Sequence, residues 1–159
     1  MKTKIYFSLL SLVLTMSIFS CKDKDSSSTA NPIIKDTKVY FNCKINNVNY
    51  VDETRFADYS FGTSRIVSHN EFQLIRFDFD DDTTGTYVFT PNSTTNIISY
   101  LDSNSKEYNS LSGSLIITEY NKAGKVISGT FSGVLKCAVD NSQIILTDGK
   151  FNYVPLTQF

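Results

Sequence analysis

The sequence predicts an all-β protein: an antiparallel β-sandwich, with a closed β-barrel as the alternative, preceded by a signal-peptide helix and a disordered tether. Three observations carry that expectation. Ser114–Tyr120, Lys125–Val139 and Gln143–Tyr153 alternate apolar and polar residues, and Asn121-Lys122-Ala123-Gly124 and Asp140-Asn141-Ser142 join them, which is the pattern of a β-meander. The composition is rich in Thr, Ser, Asn, Tyr, Phe and Ile, with 3 Pro, 7 Gly and no Trp, and this suits pleated, half-buried surfaces and turns. After residue 20, no window keeps apolar residues at three- and four-residue spacing over three turns, so no amphipathic helix is expected there.

The chain of 159 residues is long enough to bury one core and too short to argue for two. The expected organisation is a signal peptide over 1–20, a tether over 21–36 and a single all-β domain over 37–159. Met1-Lys2-Thr3-Lys4 is a basic leader, and Ile5 to Phe19 is an apolar run too short for the roughly twenty residues of a membrane-spanning helix. Ser20 is a small residue just before Cys21. Ile18-Phe19-Ser20-Cys21 resembles the lipobox of bacterial lipoproteins, although Phe19 is bulkier than that pattern usually carries. The resemblance implies that Cys21 is acylated, and several acyl chains anchor a soluble domain where one does not. Cys21-Lys22-Asp23-Lys24-Asp25 then runs into Ser26–Pro32, a polar stretch with nothing to bury. Its charges partly resemble the surface-export signal of Bacteroidota lipoproteins, interrupted by Lys24. The expected location is therefore the outer membrane, with the outward-facing leaflet as the further reading.

In the body of the chain, Lys38 to Ile45 alternates with Val39, Phe41, Cys43 and Ile45 on one side. Asn46-Asn47 is a tight-turn signal, because Asn tolerates positive φ, and Val48–Val51 returns as the partner strand. Phe56–Tyr59 and Arg65–Ser68 are weaker strands. Glu71–Phe79 is stronger, with Ile75, Phe77 and Phe79 sharing a face, while Phe72 and Leu74 fall on the other; a bulge or a strand covered on both sides would explain that. Asp80–Gly85 reads as a turn, Thr86–Thr90 as a strand, and Ile97–Leu101 and Lys106–Asn109 as two short strands. In the middle of the meander Ile127, Phe131, Leu135, Cys137 and Val139 share the dry face with Gly129 and Gly133, leaving Ser128, Thr130, Ser132 and Lys136 wet. The glycines are read as places where a long strand bends or bulges.

Chemistry is sparse. Asp78, Asp80, Asp81 and Asp82 form the one dense acidic cluster, and oxygen-rich loops suit calcium. An EF-hand opening at Asp78 would need Gly at Thr83 and Glu at Phe89, so solvated turn carboxylates are the simpler account and Asp78, Asp80 and Asp82 stay as a weak cation site. His69 is the single histidine and lacks a partner for zinc, so Ser68-His69-Asn70 reads as a polar turn. No nucleophile elbow, phosphate loop or other catalytic motif is present, so no catalytic residue, metal or cofactor is assigned. Glu71, Glu107 and Glu119 cannot be set opposite a second carboxylate from sequence, as a glycoside hydrolase would require. Cys43 and Cys137 both lie on apolar strand faces of an exported chain. A disulfide between them would stabilise by about 4–5 kcal/mol in the chain-entropy model, and two reduced cysteines serving as small core hydrophobes is the competing reading. The many tyrosines are read as sheet-packing residues before they are read as a stacking platform.

Gly113–Thr118, Ile127–Gly133 and Ile144–Phe151, with Gly85-Thr86-Tyr87 and the opening hairpin Phe41–Tyr50 as earlier landmarks, are similar to a Bacteroidota lipoprotein family, domain of unknown function 6252. Asn47 stands where that family usually has Gly in the opening turn. These are packing and turn residues, so the resemblance implies a β fold in the cell envelope and no catalytic position.

Charge excludes one partner class. Of 15 Lys and Arg, removal of Met1–Ser20 takes Lys2 and Lys4, leaving 13 basic against 16 acidic side chains with no basic stripe, so no nucleic acid is expected. The expected role is a lipid-anchored binding or structural module and not an enzyme, with a membrane partner through the anchor and a protein or carbohydrate partner left open. The alternatives are a lipocalin-like carrier of a small apolar ligand, which needs unfilled barrel volume, and a hydrolase, which needs converging carboxylates.

Overall fold

A computed structural model of the chain describes residues 37–158, all within one compact unit. The expected signal peptide, Cys21 and the tether lie outside the described residues. Ten strands and no helix make up the described part: β1 (Tyr40–Ile45), β2 (Val48–Val51), β3 (Thr54–Ser60), β4 (Thr63–His69), β5 (Leu74–Asp80), β6 (Gly85–Phe89), β7 (Ile97–Leu101), β8 (Glu107–Asn121), β9 (Val126–Lys136) and β10 (Gln143–Gln158). The fold is all-β, and of the two expected architectures it takes the closed barrel.

The meander β8–β9–β10 organises it. These strands run to 15, 11 and 16 residues, longer than the usual ceiling of about ten, so the outer strands have room for two partners along one edge. β8 pairs β7 through Glu107–Asn109 and β6 through Gly113–Ile117. β10 pairs β1 through Leu146–Asn152 and β3 near Leu156. β4 and β5 bridge from β3 to β7, closing a ring of β3, β4, β5, β7, β8, β9 and β10, with β1–β2 and β6 attached outside it.

The expectation of an antiparallel sheet holds for every pair except the closing one. β3 and β10 pair in parallel, with Leu156 opposite Ala57 and the Thr157 hydroxyl donating to the Ala57 carbonyl at 3.0 Å. The cause is arithmetic: strands alternating up and down around a ring with an odd number of members must leave two like-directed neighbours where it closes. Register shifts in β1–β10, β9–β10 and β8–β9 mark the bulges that let long strands curl.

Period-two alternation sends one face of each strand inward. The centre is aromatic: Phe131 lies 4.7 Å from Phe77 and 5.1 Å from Phe41, and Phe151 completes the stack at 6.2 Å from Phe41. These rings occupy the middle of the barrel. The Asn46-Asn47 turn adopts the expected positive φ, 49° and 66°.

Four details differ from the sequence reading. Lys106–Asn109 and Ser114–Tyr120 are one strand, because the polar link between them stays extended and bulges between Ser110 and Ser112. Glu71–Phe79 is neither bulged nor covered on both faces: β5 begins at Leu74, and Phe72 sits in the preceding turn. Val139 is 92% exposed, since β9 ends at Lys136 and Cys137 N–H turns back to the Ser142 carbonyl. Ser128 is buried rather than wet, because its hydroxyl accepts the Tyr153 N–H at 3.0 Å where the β9–β10 register slips.

Candidate functional site: the rim of the barrel

β1, β4, β7 and β9 end, and β2, β5, β8 and β10 begin, at the same end of the barrel. The β1–β2 turn, the β4–β5 loop (70–73), the β7–β8 loop (102–106) and the β9–β10 turn therefore gather into one rim. Asn70 builds its centre. The side-chain carbonyl accepts N–H groups of Phe72 and Gln73 at 3.0 and 2.9 Å, while its amide donates to the Val51 carbonyl at 3.0 Å. This Asx turn ties the loop to β2. Gln73 in turn donates to the Tyr100 hydroxyl at 2.7 Å. Held from both sides, the loop leaves the Phe72 ring 63% exposed.

A groove of about 480 Å³ runs between this loop and the β7–β8 loop, with His69, Glu71, Phe72, Leu101 and Asp102 in its walls. A second depression of about 430 Å³ continues it toward Val51 and Glu53 across the same loop. The far side of the rim is pinned by Lys106, which donates to Asp140 at 2.5 Å and to Ser142 at 2.7 Å and holds the Asp140 carboxyl below the usual carboxylate range. No Lys or Arg lines either groove, and Glu53 and Glu71 have no ion pair among the described residues. The grooves therefore combine exposed apolar surface with unneutralised carboxylates.

Beneath the rim, hydroxyls and a thiol are capped rather than activated. Tyr50 meets Ser68 at 3.2 Å, and burial pushes its phenol up. Burial likewise pushes the Cys43 thiol and the Tyr100 phenol up to about 12 each. A nucleophilic cysteine needs the opposite shift, so this layer is chemically quiet at neutral pH.

The residues singled out by sequence fall as follows. Cys43 and Cys137 are buried free thiols. Cys43 stands on β1 beside Asp148–Gly149 of β10 and Cys137 faces Ser142, an offset of about six residues, on the order of 20 Å along the strand. The disulfide reading is corrected to two unbridged cysteines, since a bridge tolerates a Cα separation of only about 7 Å. Asp78 lies between Arg65 at 2.9 Å and Arg76 at 2.8 Å, Asp82 pairs with Lys122, and Asp80 is exposed at the end of β5. Cations of the protein itself occupy two of the three carboxylates, and no group of three or more His, Cys, Asp or Glu among the described residues is placed to hold a metal ion. The weak cation site is withdrawn on that ground. His69 ends β4 and borders the groove. Glu71 joins it there, while Glu107 and Glu119 sit at opposite ends of β8.

Residues 37–155 match the model of a family described as a domain of unknown function, DUF6252. The chain belongs to this family. The DUF6252 match takes in β1 to β9 and most of β10, stopping just before the Leu156–Ala57 closure. No curated protein and no solved structure matches the chain. The DUF6252 description names no site residues.

Proposed function

We propose that this DUF6252 protein is a lipid-anchored binding module of the cell envelope, of the Bacteroidota lipoprotein type, fixed to the outer membrane through acylated Cys21 and engaging its partner through the rim. Binding, not catalysis, is the role. The observation that carries this reading is Phe72: a large apolar ring held out in solvent by Asn70 beside Glu53 and Glu71, which have no ion pair among the described residues, on a barrel whose centre is packed with aromatic rings. Singly exposed hydrophobes are ordinary, but Phe72 has Leu101 and Val51 on the walls of the same grooves. β1 runs toward the rim from Tyr40, so the described residues begin away from the rim.

Two measurements test the reading. Radiolabelled palmitate is incorporated by the native chain and not by Cys21→Ala. In intact cells, a photo-crosslinking residue at position 72 gives a discrete adduct that one at Ile116, on the outer barrel wall, does not. Equal adducts at both positions, or none at 72, refute the rim as the contact surface.

A further inference from the structure

β2 is a terminal strand of the sheet, and its open edge faces the rim grooves. In a two-residue hairpin the pair flanking the turn, here Ile45 and Val48, exchanges both hydrogen bonds, and alternation then turns the N–H and C=O groups of Asn49 and Val51 away from β1. The Asn70 amide bonded to the Val51 carbonyl verifies that direction. No lysine or proline stands within the strand, which reads Val48-Asn49-Tyr50-Val51 with both valines 70% exposed, and the β4–β5 loop covers the edge only at the Val51 carbonyl. A depression of about 310 Å³ lies against Val48, Asn49 and Gln73, and the one bordering Val51, Glu53 and Phe72 continues from it.

We infer that β2 is the docking edge of the rim, and that its occupant is an extended segment of a partner polypeptide which adds to the sheet as a strand beside β2 and sets a basic side chain against Glu53 and Glu71. The inference rests on the rim reading and narrows its partner from protein or carbohydrate to polypeptide. Backbone groups spaced at strand repeat are matched by another strand, not by a sugar ring. The carboxylates select cationic over acidic segments, since like charges at such a contact repel. Phe72, Leu101 and Val51 give alternate apolar side chains of the segment a surface to cover.

The test pans a random dodecapeptide display library against the full chain, then measures the selected peptides in solution and maps them by backbone amide shifts. Selected sequences are expected to alternate apolar residues around a Lys or Arg, and to perturb Asn49, Val51 and Phe72. Asn49→Pro deletes the outward N–H without touching the β1 ladder and should weaken binding at least ~10-fold, as should Glu71→Lys. If Asn49→Pro fails to fold, a selected peptide N-methylated at alternate residues replaces it: one methylation phase must abolish binding to the native chain and the other must not. A neutral hexasaccharide that perturbs Phe72 and Glu71, with peptides inert to Asn49→Pro, overturns strand addition while leaving the rim reading intact. Ligands that map only away from the rim overturn both. A dimer of the chain that Asn49→Pro dissociates assigns the edge to a second copy and overturns the inference as well.

Discussion

Replacing Phe41 with Ala tests whether β1 is a structural wall or an attached flap. β1 lies outside the closed ring of seven strands, yet the Phe41 ring is 2% exposed and sits 5.1 Å from Phe131, 6.2 Å from Phe77 and 6.1 Å from Tyr50. The side chain therefore contacts β2, β5 and β9 at once. Truncating a buried Phe to Ala removes its transfer free energy and leaves a cavity, together about 3–5 kcal/mol. With an unfolding entropy of about 2.1 cal/mol/K per residue over a domain of about 120 residues, the expected fall in Tm is about 12–20 °C. Circular dichroism melts and urea titrations at 25 °C measure it, with Val39→Ala on the exposed approach to the same strand as the control, expected within about 0.5 kcal/mol. The refuting result is a loss below about 1 kcal/mol with unchanged Tm, accompanied by fast amide exchange confined to residues 40–51. That pattern would make β1–β2 a unit that opens by itself, outside the cooperative core.

Four other outcomes are expected. Cys43 and Tyr100 keep their protons in the folded state to about pH 12, whereas their ordinary values are 9.0 and 10.0, so the folded chain binds more protons in between. Stability is therefore intact below pH 9 and declines as pH rises toward 12, read as a falling urea midpoint at constant m. In the same samples at about pH 8, a thiol reagent should find Cys43 and Cys137 silent in the native fold and both reactive on unfolding, whereas a bridged pair would stay silent without reductant. Gly149→Ala would drive a Cβ into the Phe131 carbonyl and to 2.5 Å from its ring, destabilising by about 1–3 kcal/mol in urea titration; a loss under about 0.5 kcal/mol would deny the close approach. Millimolar calcium should leave Tm within about 1 °C, because Arg65, Arg76 and Lys122 already neutralise Asp78 and Asp82.

Strands were legible wherever one face alone is buried. Phe41 and Cys43, Ile75, Phe77 and Phe79, and Ile127, Phe131 and Leu135 all lie inside as their alternation requires. The tight turn at Asn46-Asn47 was legible because positive φ narrows the choice of residue. Closure was not, since whether a ring forms, and so whether one pair must be parallel, depends on how many strands join it, and no single segment encodes that count. The glycines were half legible. Gly129 and Gly149 do break the pattern of β9 and β10, but the reason is reciprocal: Gly149 faces Phe131 and Gly129 faces Phe151 across the same ladder, each ring lying over the bare glycine of the other strand. A Cβ at Gly129 would come within 2.7 Å of the Phe151 ring. Only the register reveals that pairing.

The rim shows where pattern reading passes over a binding surface and what trace it leaves. The sequence pattern puts Phe72 inside a strand, on the opposite face from Phe77 and Phe79. That conflict was the trace, because a phenylalanine out of phase with its own strand either packs elsewhere or does not belong to the strand. Asn70 two residues earlier decides between these: its carbonyl captures the N–H groups of Phe72 and Gln73, and a backbone held in that turn cannot also pair in a ladder. The same side chain reaches the Val51 carbonyl, which is free to accept only because β2 has no outer neighbour. One asparagine therefore exposes the aromatic ring and satisfies one group of the open edge, while the groups of Asn49 stay available. Changing Asn70 to Ala should for that reason loosen the loop and weaken any ligand that needs Phe72 and β2 together, and a ligand indifferent to that change would have to be using another surface.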